Sequence, residues 1–237
     1  MYALNASNVK RKYGAVQVLD GLSLRLEQNG FDALMGPSGS GKSTFLHIAC
    51  GLVAADSGSV EIGGADVTAM SDSAAAKFRR RHVGVVFQAF NLLSGKTVRD
   101  NVLFPLKLDG ARPDGARLAR LASVLGVEAL MDRMPESLSG GEQQRVAIMR
   151  ALAAAPEVVL ADEPTGNLDA AATRDVCALL KSASSMGESA ILVVTHDPIV
   201  AATANNVHFL KDGVIVASHP TQNDPARVAS LYLEACS

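Results

Sequence analysis

The chain has 237 residues, of which 48% are hydrophobic and 19% are charged. This composition is typical of one well-cored globular domain with, at most, a modest subdomain. The net charge of −2 gives no bulk attraction to nucleic acid or anionic lipid, so we expect no nucleic-acid partner. The three cysteines are far apart and form no C-x-x-C pair, which argues against a zinc site or a disulfide framework and favours a reducing compartment.

The N-terminus lacks the basic-then-apolar pattern of a secretion signal. No apolar run approaches the ~20 residues that a membrane-spanning helix needs. We therefore expect any work at a membrane to be done through a partner.

Short apolar segments alternate with helix-like segments, which predicts an α/β fold with a sheet covered by helices. Asp212-Gly213, between the last two apolar segments, predicts a hairpin turn. The predicted strands are Leu22–Glu27, Phe31–Met35, Ser59–Ile62, Val83–Phe87, Val158–Ala161, Ala190–Thr195, Val207–Leu210 and Val214–Ala217.

The middle of the chain has a different pattern. From about Thr97 to Ala155 it is helical, with three prolines as breaks, at Pro105, Pro113 and Pro135. We therefore predict a single domain over residues 1–237. Residues 1–88 and 156–237 would form its α/β core, and residues 89–155 a helical insertion.

A glycine-rich segment follows the predicted strand Phe31–Met35 and matches G-x-x-x-x-G-K-[ST]. Its glycines let successive N–H groups point inward and cradle phosphate oxygens, and the helix that follows adds partial positive charge. Lys42 can reach the β/γ-phosphates, and the Ser43 hydroxyl can ligate Mg²⁺. The pattern predicts a nucleotide-phosphate site made of Gly36, Pro37, Ser38, Gly39, Ser40, Gly41, Lys42, Ser43 and Thr44.

Two acids end the apolar segment Val158–Ala161. The carboxyl edge of a sheet is where open α/β folds bind ligands. Asp162 is predicted to hold Mg²⁺ through water, and Glu163, which strand alternation would place on the other side, to act as general base on an attacking water. The pair is weak support for a site alone and strong support together with the glycine-rich segment.

The octet Leu138–Arg145 reads L-S-G-G-E-Q-Q-R before a helical run from Gln143 to Ala155. Ser139, Gly140 and Gly141 make a second anion-binding helix start, with exposed N–H groups and a hydroxyl. With this octet the sequence resembles the ATP-binding-cassette (ABC) ATPases, whose signature motif it matches in full.

The resemblance covers almost the whole chain and implies a P-loop NTPase core with a small antiparallel β part and an inserted α-helical subdomain. It implies ATP hydrolysis with Mg²⁺, Tyr13 stacked on adenine, and His196 as a switch on the γ-phosphate. Gln88 would sense Mg²⁺ and the γ-phosphate from the hinge of the helical subdomain. Asn167-Leu168-Asp169 would cross to a second subunit. The other four histidines match nothing in the family and are expected to be packing or surface residues.

The resemblance also implies partners. Two copies, most simply a homodimer, would pair head to tail, with ATP between one P-loop and the partner's Ser139-Gly140-Gly141. A separate transmembrane permease would hold the ATPase on the cytoplasmic, inner face of the cell membrane.

Within the family the chain resembles the short ATPases of lipoprotein-release, macrolide-export and antimicrobial-peptide-resistance systems. This resemblance rests on two parts of the sequence, which are Phe78–Arg81 before Val83–Gln88, and Phe90–Leu93 followed by Thr97–Val102. Arg79–Arg81 fit equally well as solvated cations at a helix C-terminus. The chain departs from the group in Ser94-Gly95-Lys96, where the permease would dock, and departs from the wider family in Asn29–Asp32.

Two function classes remain open. The first is a transport ATPase that drives a permease, with export favoured. The second is an ATPase that moves a membrane partner without transport, in a mechanical or signalling role such as cell division. Both share every catalytic residue, and the substrate cannot be identified because it never touches this chain. A DNA-associated ATPase would require stimulation by nucleic acid, which the charge balance does not suggest.

Overall fold

A computed structural model describes residues 2–187 and 189–236, which form ten strands in two sheets, with eight α-helices. The strands are β1 (Tyr2–Tyr13), β2 (Val16–Glu27), β3 (Phe31–Met35), β4 (Ser57–Ile62), β5 (Ala65–Asp66), β6 (Val83–Val86), β7 (Val158–Asp162), β8 (Ala190–Thr195), β9 (Asn206–Lys211) and β10 (Val214–Pro220). The helices are α1 (Lys42–Ala49), α2 (Asp72–His82), α3 (Val98–Asp109), α4 (Gly115–Leu125), α5 (Gly140–Leu152), α6 (Ala170–Ser185), α7 (Pro198–Ala201) and α8 (Pro225–Cys236).

The larger sheet has six strands in the order β10-β9-β3-β8-β7-β6. Strands β3 and β6 to β9 are parallel, and β10 is an antiparallel edge strand. Met35 is in register with Thr195, and Asp162 with Val194. The carboxyl ends of β3, β7 and β8 therefore meet at one edge, as the predicted α/β fold requires.

The smaller, antiparallel sheet has the order β2-β1-β4-β5. The sequence analysis missed β1 and began β2 only at Leu22. Pairing between β1 and β2 shifts register between Ala6 and Val9, and Asn8 between them has a φ of 52°. These irregularities break the period-two alternation by which a half-buried strand is recognised.

The short strand β5 was also missed, because its two residues are too few to form a recognisable apolar segment. The remaining strands lie where the sequence placed them, and β3 and β8 have the predicted bounds. Smaller errors lie at the ends of several: β6 stops at Val86, β7 runs to Asp162, and β4, β9 and β10 are longer than predicted. The β9–β10 hairpin is confirmed, with φ values of 50° at Asp212 and 78° at Gly213. Consecutive left-handed residues give the turn a twist that matches that of its strands.

Between Thr97 and Ala155, within the part of the chain that the structure describes, there are helices and turns but no strand. Helix α5 begins at Gly140 and ends at Leu152, so the predicted bounds of Gln143 and Ala155 were both late. The helical insertion belongs to the confirmed fold class, whereas the exact division at residues 89 and 155 stays a prediction.

Each face of the six-stranded sheet carries a hydrophobic cluster. One cluster joins Phe31 of β3 to Val102 of α3 and Val146 of α5, so the helical insertion packs on the sheet through a continuous core. The other encloses α1 between the two sheets, with Phe45 packed among the strands. Among residues 2–187 and 189–236, no helix combines the length and apolar character that crossing a membrane would take.

Candidate nucleotide-binding site

The glycine-rich segment forms the turn between β3 and α1. Gly41 caps α1 with a φ of 103°, and a Cβ there would lie 2.7 Å from the carbonyl oxygen of Val18. A Cβ on Gly36 would lie 2.3 Å from the carbonyl oxygen of Leu210. Both positions therefore require glycine. The helix starts at Lys42, so the Lys42 and Ser43 side chains lie at its positive end.

Lys42 is buried against this loop. Its Nζ donates to the carbonyl oxygens of Gly36 at 2.8 Å and Pro37 at 3.0 Å. Burial lowers the pKa of Lys42, and the carboxylates of Glu163 and Asp162 oppose that shift. The amine is thus held by neutral carbonyl groups that a more strongly charged acceptor, such as a phosphate, can replace.

Ser43 and Asp162 meet across the end of β7. The Ser43 hydroxyl donates to Asp162 Oδ1 at 3.1 Å. Burial raises the pKa of Asp162, while the hydrogen bond from Ser43 acts to lower it. A hydroxyl and a carboxylate side by side are hard oxygen donors of the kind that Mg²⁺ prefers, so the two residues fit the predicted ion.

Glu163 lies beyond the end of β7, in a left-handed conformation with a φ of 45°. Its Oε1 lies 2.8 Å from His196 Nδ1, and the Thr195 hydroxyl donates to its Oε2 at 3.3 Å. The two acids do have different partners, but strand alternation was the wrong reason. The chain turns out of the strand at Glu163, which aims its carboxylate at the end of β8.

Gln88 lies two residues beyond β6, on the loop that leads into the helical insertion. Its carbonyl oxygen accepts a hydrogen bond from Asn167 Nδ2 at 2.9 Å. The Gln88 side chain packs closely on Gly166, since a Cβ added there would lie 2.7 Å from Gln88 Nε2. The loop that carries Gln88 and the loop that follows Glu163 therefore lie against each other.

Sequence reasoning missed Arg150, in the last turn of α5. Its guanidinium donates to the carbonyl oxygens of Phe90, at 2.8 Å, and Asn91, and burial lowers its pKa. Both loop residues have positive φ, 58° and 50°. Arg150 thus anchors the Gln88 loop to the helix that begins with the octet. An arginine near the C-terminal end of a helix is equally well explained by its favourable interaction with the helix dipole. The sequence therefore carries no distinct signal that Arg150 anchors a loop.

Asn101 was noticed only as part of the run that carried the family resemblance. It is fully buried in α3. Its amide accepts from the N–H of Leu93 at 2.6 Å and donates to the carbonyl oxygens of Leu93, Lys96 and Thr97 at 3.0 to 3.2 Å. This one side chain fixes the shape of the Ser94-Gly95-Lys96 loop.

The octet begins α5, with Ser139 as the N-cap and both glycines in the first turn. The hydroxyl and the N–H of Ser139 each donate to Glu142 Oε2 at 2.8 Å. These hydrogen bonds lower the pKa of Glu142. Among the described residues, every hydrogen bond of Ser139 stays within this helix start. The structure does not join the octet to the glycine-rich loop of the same chain.

Tyr13 ends β1 and is 46% exposed. Val18, on the other strand of the same hairpin, borders Gly41. The hairpin therefore brings an accessible aromatic ring to the neighbourhood of the phosphate loop, and the ring itself contacts the guanidinium of Arg11.

Asp32, in the segment that departs from the family, is buried in β3. Its Oδ1 accepts a hydrogen bond from Asn206 Nδ2 at 2.9 Å, and its Oδ2 lies 3.1 Å from His208 Nε2. His82 likewise lies 3.0 Å from Glu157 and stacks on Phe78. These contacts serve packing between elements, and none of them belongs to the site.

The ABC transporter family model matches residues 19–166, more than half of the chain. The lipoprotein-releasing system ATP-binding protein LolD of Anaeromyxobacter dehalogenans is 43% identical over 227 residues, covering 93% of this chain and 95% of that one. The macrolide export ATP-binding/permease protein MacB of Neisseria meningitidis serogroup B is 40% identical over 236 residues, which are 97% of this chain and 36% of that one. The methionine import ATP-binding protein MetN of Mesorhizobium japonicum is 42% identical over 217 residues, covering 90% of this chain and 59% of that one.

Among solved structures, the chain is similar to the dimeric post-hydrolysis state of the ATP-binding cassette MJ0796 bound to ADP and Pi. The TM-score is 0.79 at 36% identity, covering 92% of this chain and 99% of that one. Similarity of sequence and structure over nearly the full length, together with the loop, acids and octet described above, leads to one conclusion: the chain belongs to the ABC transporter family, as an ATP-hydrolysing transport ATPase.

Proposed function

We propose that this chain binds MgATP at the glycine-rich loop, hydrolyses it in a head-to-tail dimer, and thereby drives a separate membrane permease that exports or extracts its substrate. The observation that carries the proposal is the pairing of Ser43 with Asp162, and of Glu163 with His196, at the edge of the sheet where Lys42 lies. Charge-neutralising, metal-binding and proton-accepting groups thus converge at one place.

Each residue at this edge has a distinct task in the proposal. Lys42 leaves the carbonyls of its own loop to neutralise the β- and γ-phosphates, while the loop N–H groups hold the phosphate oxygens. Glu163 accepts a proton from the attacking water, and His196 orients the Glu163 carboxylate and contacts the γ-phosphate. Ser43, Asp162 and Gln88 would hold Mg²⁺, which when bound neutralises charge that develops on the phosphates.

Two further elements complete the nucleotide site. Tyr13 stacks on the adenine base, since its ring is exposed beside the loop. Ser139, Gly140 and Gly141 bind the γ-phosphate of the ATP held by the partner copy, a proposal supported by the hydrogen bonds of Ser139, which among the described residues stay within its own helix start rather than reaching the P-loop of the same chain. Closing such a site needs a second copy, and a homodimer supplies it with no further component.

The permease is proposed to bind beside α3. A cleft of about 190 Å³ lies between α3 and β6, and Phe104 and Leu108 at its rim are 39% and 56% exposed. Leu93, on the loop that Asn101 holds, is 37% exposed. Exposed apolar side chains next to a cleft suit a helical segment of a membrane protein. Docking there would place the ATPase on the cytoplasmic side of the membrane.

Export or extraction is favoured because MacB is named for macrolide export and LolD for a lipoprotein-releasing system, and both align over nearly the whole chain. Import, as named for MetN, and movement of a membrane partner without transport are the alternatives. Neither alternative function would require different catalytic residues. Reconstitution with the permease and assay of substrate on both sides of the membrane distinguish all three.

The test is ATPase activity with and without a co-reconstituted permease. We expect permease to stimulate the wild-type chain and Leu93→Ala to lose most of that stimulation, while the basal rate without permease is kept. Lys42→Ala is the inactive control and should lose hydrolysis in both conditions. Normal turnover of Lys42→Ala would overturn the site, and full stimulation of Leu93→Ala would move the docking surface elsewhere.

A further inference from the structure

The ring of Tyr13 has a cation above it. The guanidinium carbon of Arg11 lies 4.8 Å from the centroid of the ring, within the range of an attractive cation–π contact. Tyr13 is exposed, and the next residue, Gly14, has a φ of 60° at the end of the hairpin. Without a partner, a tyrosine at such a tip would sample several rotamers.

Arg11 itself is held in place. Its Nη1 lies 2.9 Å from Oδ1 of Asp56, in the loop just before β4, and its side chain is 23% exposed. The other oxygen, Asp56 Oδ2, accepts the N–H of Lys12 at 2.6 Å, and the N–H of Asp56 donates to the carbonyl oxygen of Lys10 at 2.9 Å. Asp56 therefore fixes both the backbone that leads to Tyr13 and the cation that covers its ring.

This arrangement suits the binding of a base. A cation over one face of an aromatic ring leaves the other face for a planar ligand. A ring already held in one orientation loses less conformational freedom when the ligand stacks on it.

We propose that Arg11, anchored by Asp56, is the positioning residue that presents the ring of Tyr13 to the base of the nucleotide. The proposal rests on the proposed function, which assigns Tyr13 to the base. It adds that base recognition extends to a second residue that does not contact the reacting phosphates. Because an exposed cation–π contact is weak, the expected contribution is about 2- to 5-fold in affinity.

The chain contains no tryptophan, so Tyr13→Trp creates a single tryptophan emitter at the proposed base site. We expect MgATP to quench this tryptophan saturably. Magnesium tripolyphosphate, which has the phosphates but no base, should bind by calorimetry without quenching it. If MgATP binds by calorimetry but leaves the tryptophan unquenched, the assignment of position 13 to the base is wrong, and the proposed function must be revised there.

The second step introduces Arg11→Met into the Tyr13→Trp protein. The dissociation constant for MgATP should rise about 2- to 5-fold, while that for magnesium tripolyphosphate stays unchanged. Asp56→Ala should reproduce the effect, and the double variant should be less than additive, because both changes remove the same support. Should either variant fail to fold, the other carries the comparison.

Arg25 provides a matched control, since it lies 5.4 Å above the ring of Tyr2 in the same antiparallel sheet. Arg25→Met removes a similar cation–π contact and should leave both dissociation constants unchanged. Equal affinity of the Arg11→Met protein for MgATP would overturn the proposal. An equal loss of affinity for MgATP and tripolyphosphate would do the same, because Arg11 would then support the fold rather than the base.

Discussion

Asp162 and Glu163 are neighbours in sequence with separate surroundings. Asp162 ends β7 and bonds to Ser43 of the P-loop, whereas Glu163 turns away to His196 and Thr195. Burial raises the pKa of Asp162, so a nearby cation would favour its charged form. These separate surroundings support the proposal that Asp162 holds the metal and Glu163 acts on the attacking water.

We expect Glu163→Gln to keep ATP affinity nearly intact while it slows single-turnover hydrolysis by about 10²-fold or more, the scale of losing a general base. Asp162→Asn should weaken Mg²⁺-dependent nucleotide binding as well as turnover, because the amide lacks the charge that binds the ion. Calorimetric affinity and rapid-quench hydrolysis for both variants decide this. Loss of affinity in Glu163→Gln with its retention in Asp162→Asn would reverse the roles.

The helix cap at Ser139 predicts a pH dependence of stability. Hydrogen bonds from Ser139 lower the pKa of Glu142 in the folded state. A carboxyl with a depressed folded pKa adds stability that is fully present above its unfolded pKa, near 4.3 for Glu, and is lost as pH falls through the folded pKa. Glutamine can still accept the N–H bond but does not titrate.

We therefore expect the wild-type chain to be more stable than Glu142→Gln at pH 7, and the difference to shrink below about pH 4.3. Urea unfolding of both proteins across this range measures it. A difference that is the same at every pH would mean that the charge of Glu142 does not contribute to the cap.

At the scale of elements, α5 connects two loops. Its first turn carries the octet, and its last turn carries Arg150, which binds the carbonyl oxygens of Phe90 and Asn91. A Cβ on Gly140 would lie 3.8 Å from the Phe90 ring, so the Gln88 loop contacts the helix at both ends. We therefore expect any movement of α5 to shift that loop as well.

We expect Arg150→Met to lower the free energy of unfolding by about 1–2 kcal/mol, because two carbonyl groups lose a charged donor. Arg99→Met is the control, since the Arg99 side chain forms an exposed pair with Asp132 and its removal should change stability by less than about 0.5 kcal/mol. Urea unfolding compares the two. Similar small changes in both would show that the Arg150 contacts stabilise the loop no more than a surface ion pair does.

At the scale of the whole molecule, the chain has two helix starts that we propose to bind phosphate and one pair of acids that we propose to be catalytic. Ser139 bonds within its own helix start, while Lys42, Asp162 and Glu163 converge at the sheet edge. The solved relative MJ0796 is dimeric with ADP and Pi. A nucleotide shared between two copies makes assembly dependent on ATP.

We expect the Glu163→Gln chain to be monomeric without nucleotide and dimeric with MgATP, because unhydrolysed γ-phosphate bridges the copies. Light scattering coupled to size exclusion measures the mass. Adding Ser139→Glu to that variant should keep it monomeric, since a carboxylate would repel the phosphate. A dimer that persists with this change would place the octet outside the interface.

Local patterns determined much of this protein without the structure. The P-loop, the acids at the end of β7 and the octet are short motifs whose chemistry depends on residues adjacent in sequence, and the apolar segments of the parallel sheet are continuous enough to be recognised. The fold class and the family follow from these local features, and the comparisons confirmed both.

Only the tertiary structure decided which groups far apart in sequence meet. The bonds of Ser43 to Asp162, Arg150 to Phe90 and Arg11 to Asp56 each join residues more than 40 positions apart. Strand β1 was hidden because its register shifts blur the alternation, and Glu163 left its strand through a backbone turn that no residue pattern indicates. Long-range packing sets such contacts, whereas sequence periodicity reports only which face of an element is buried.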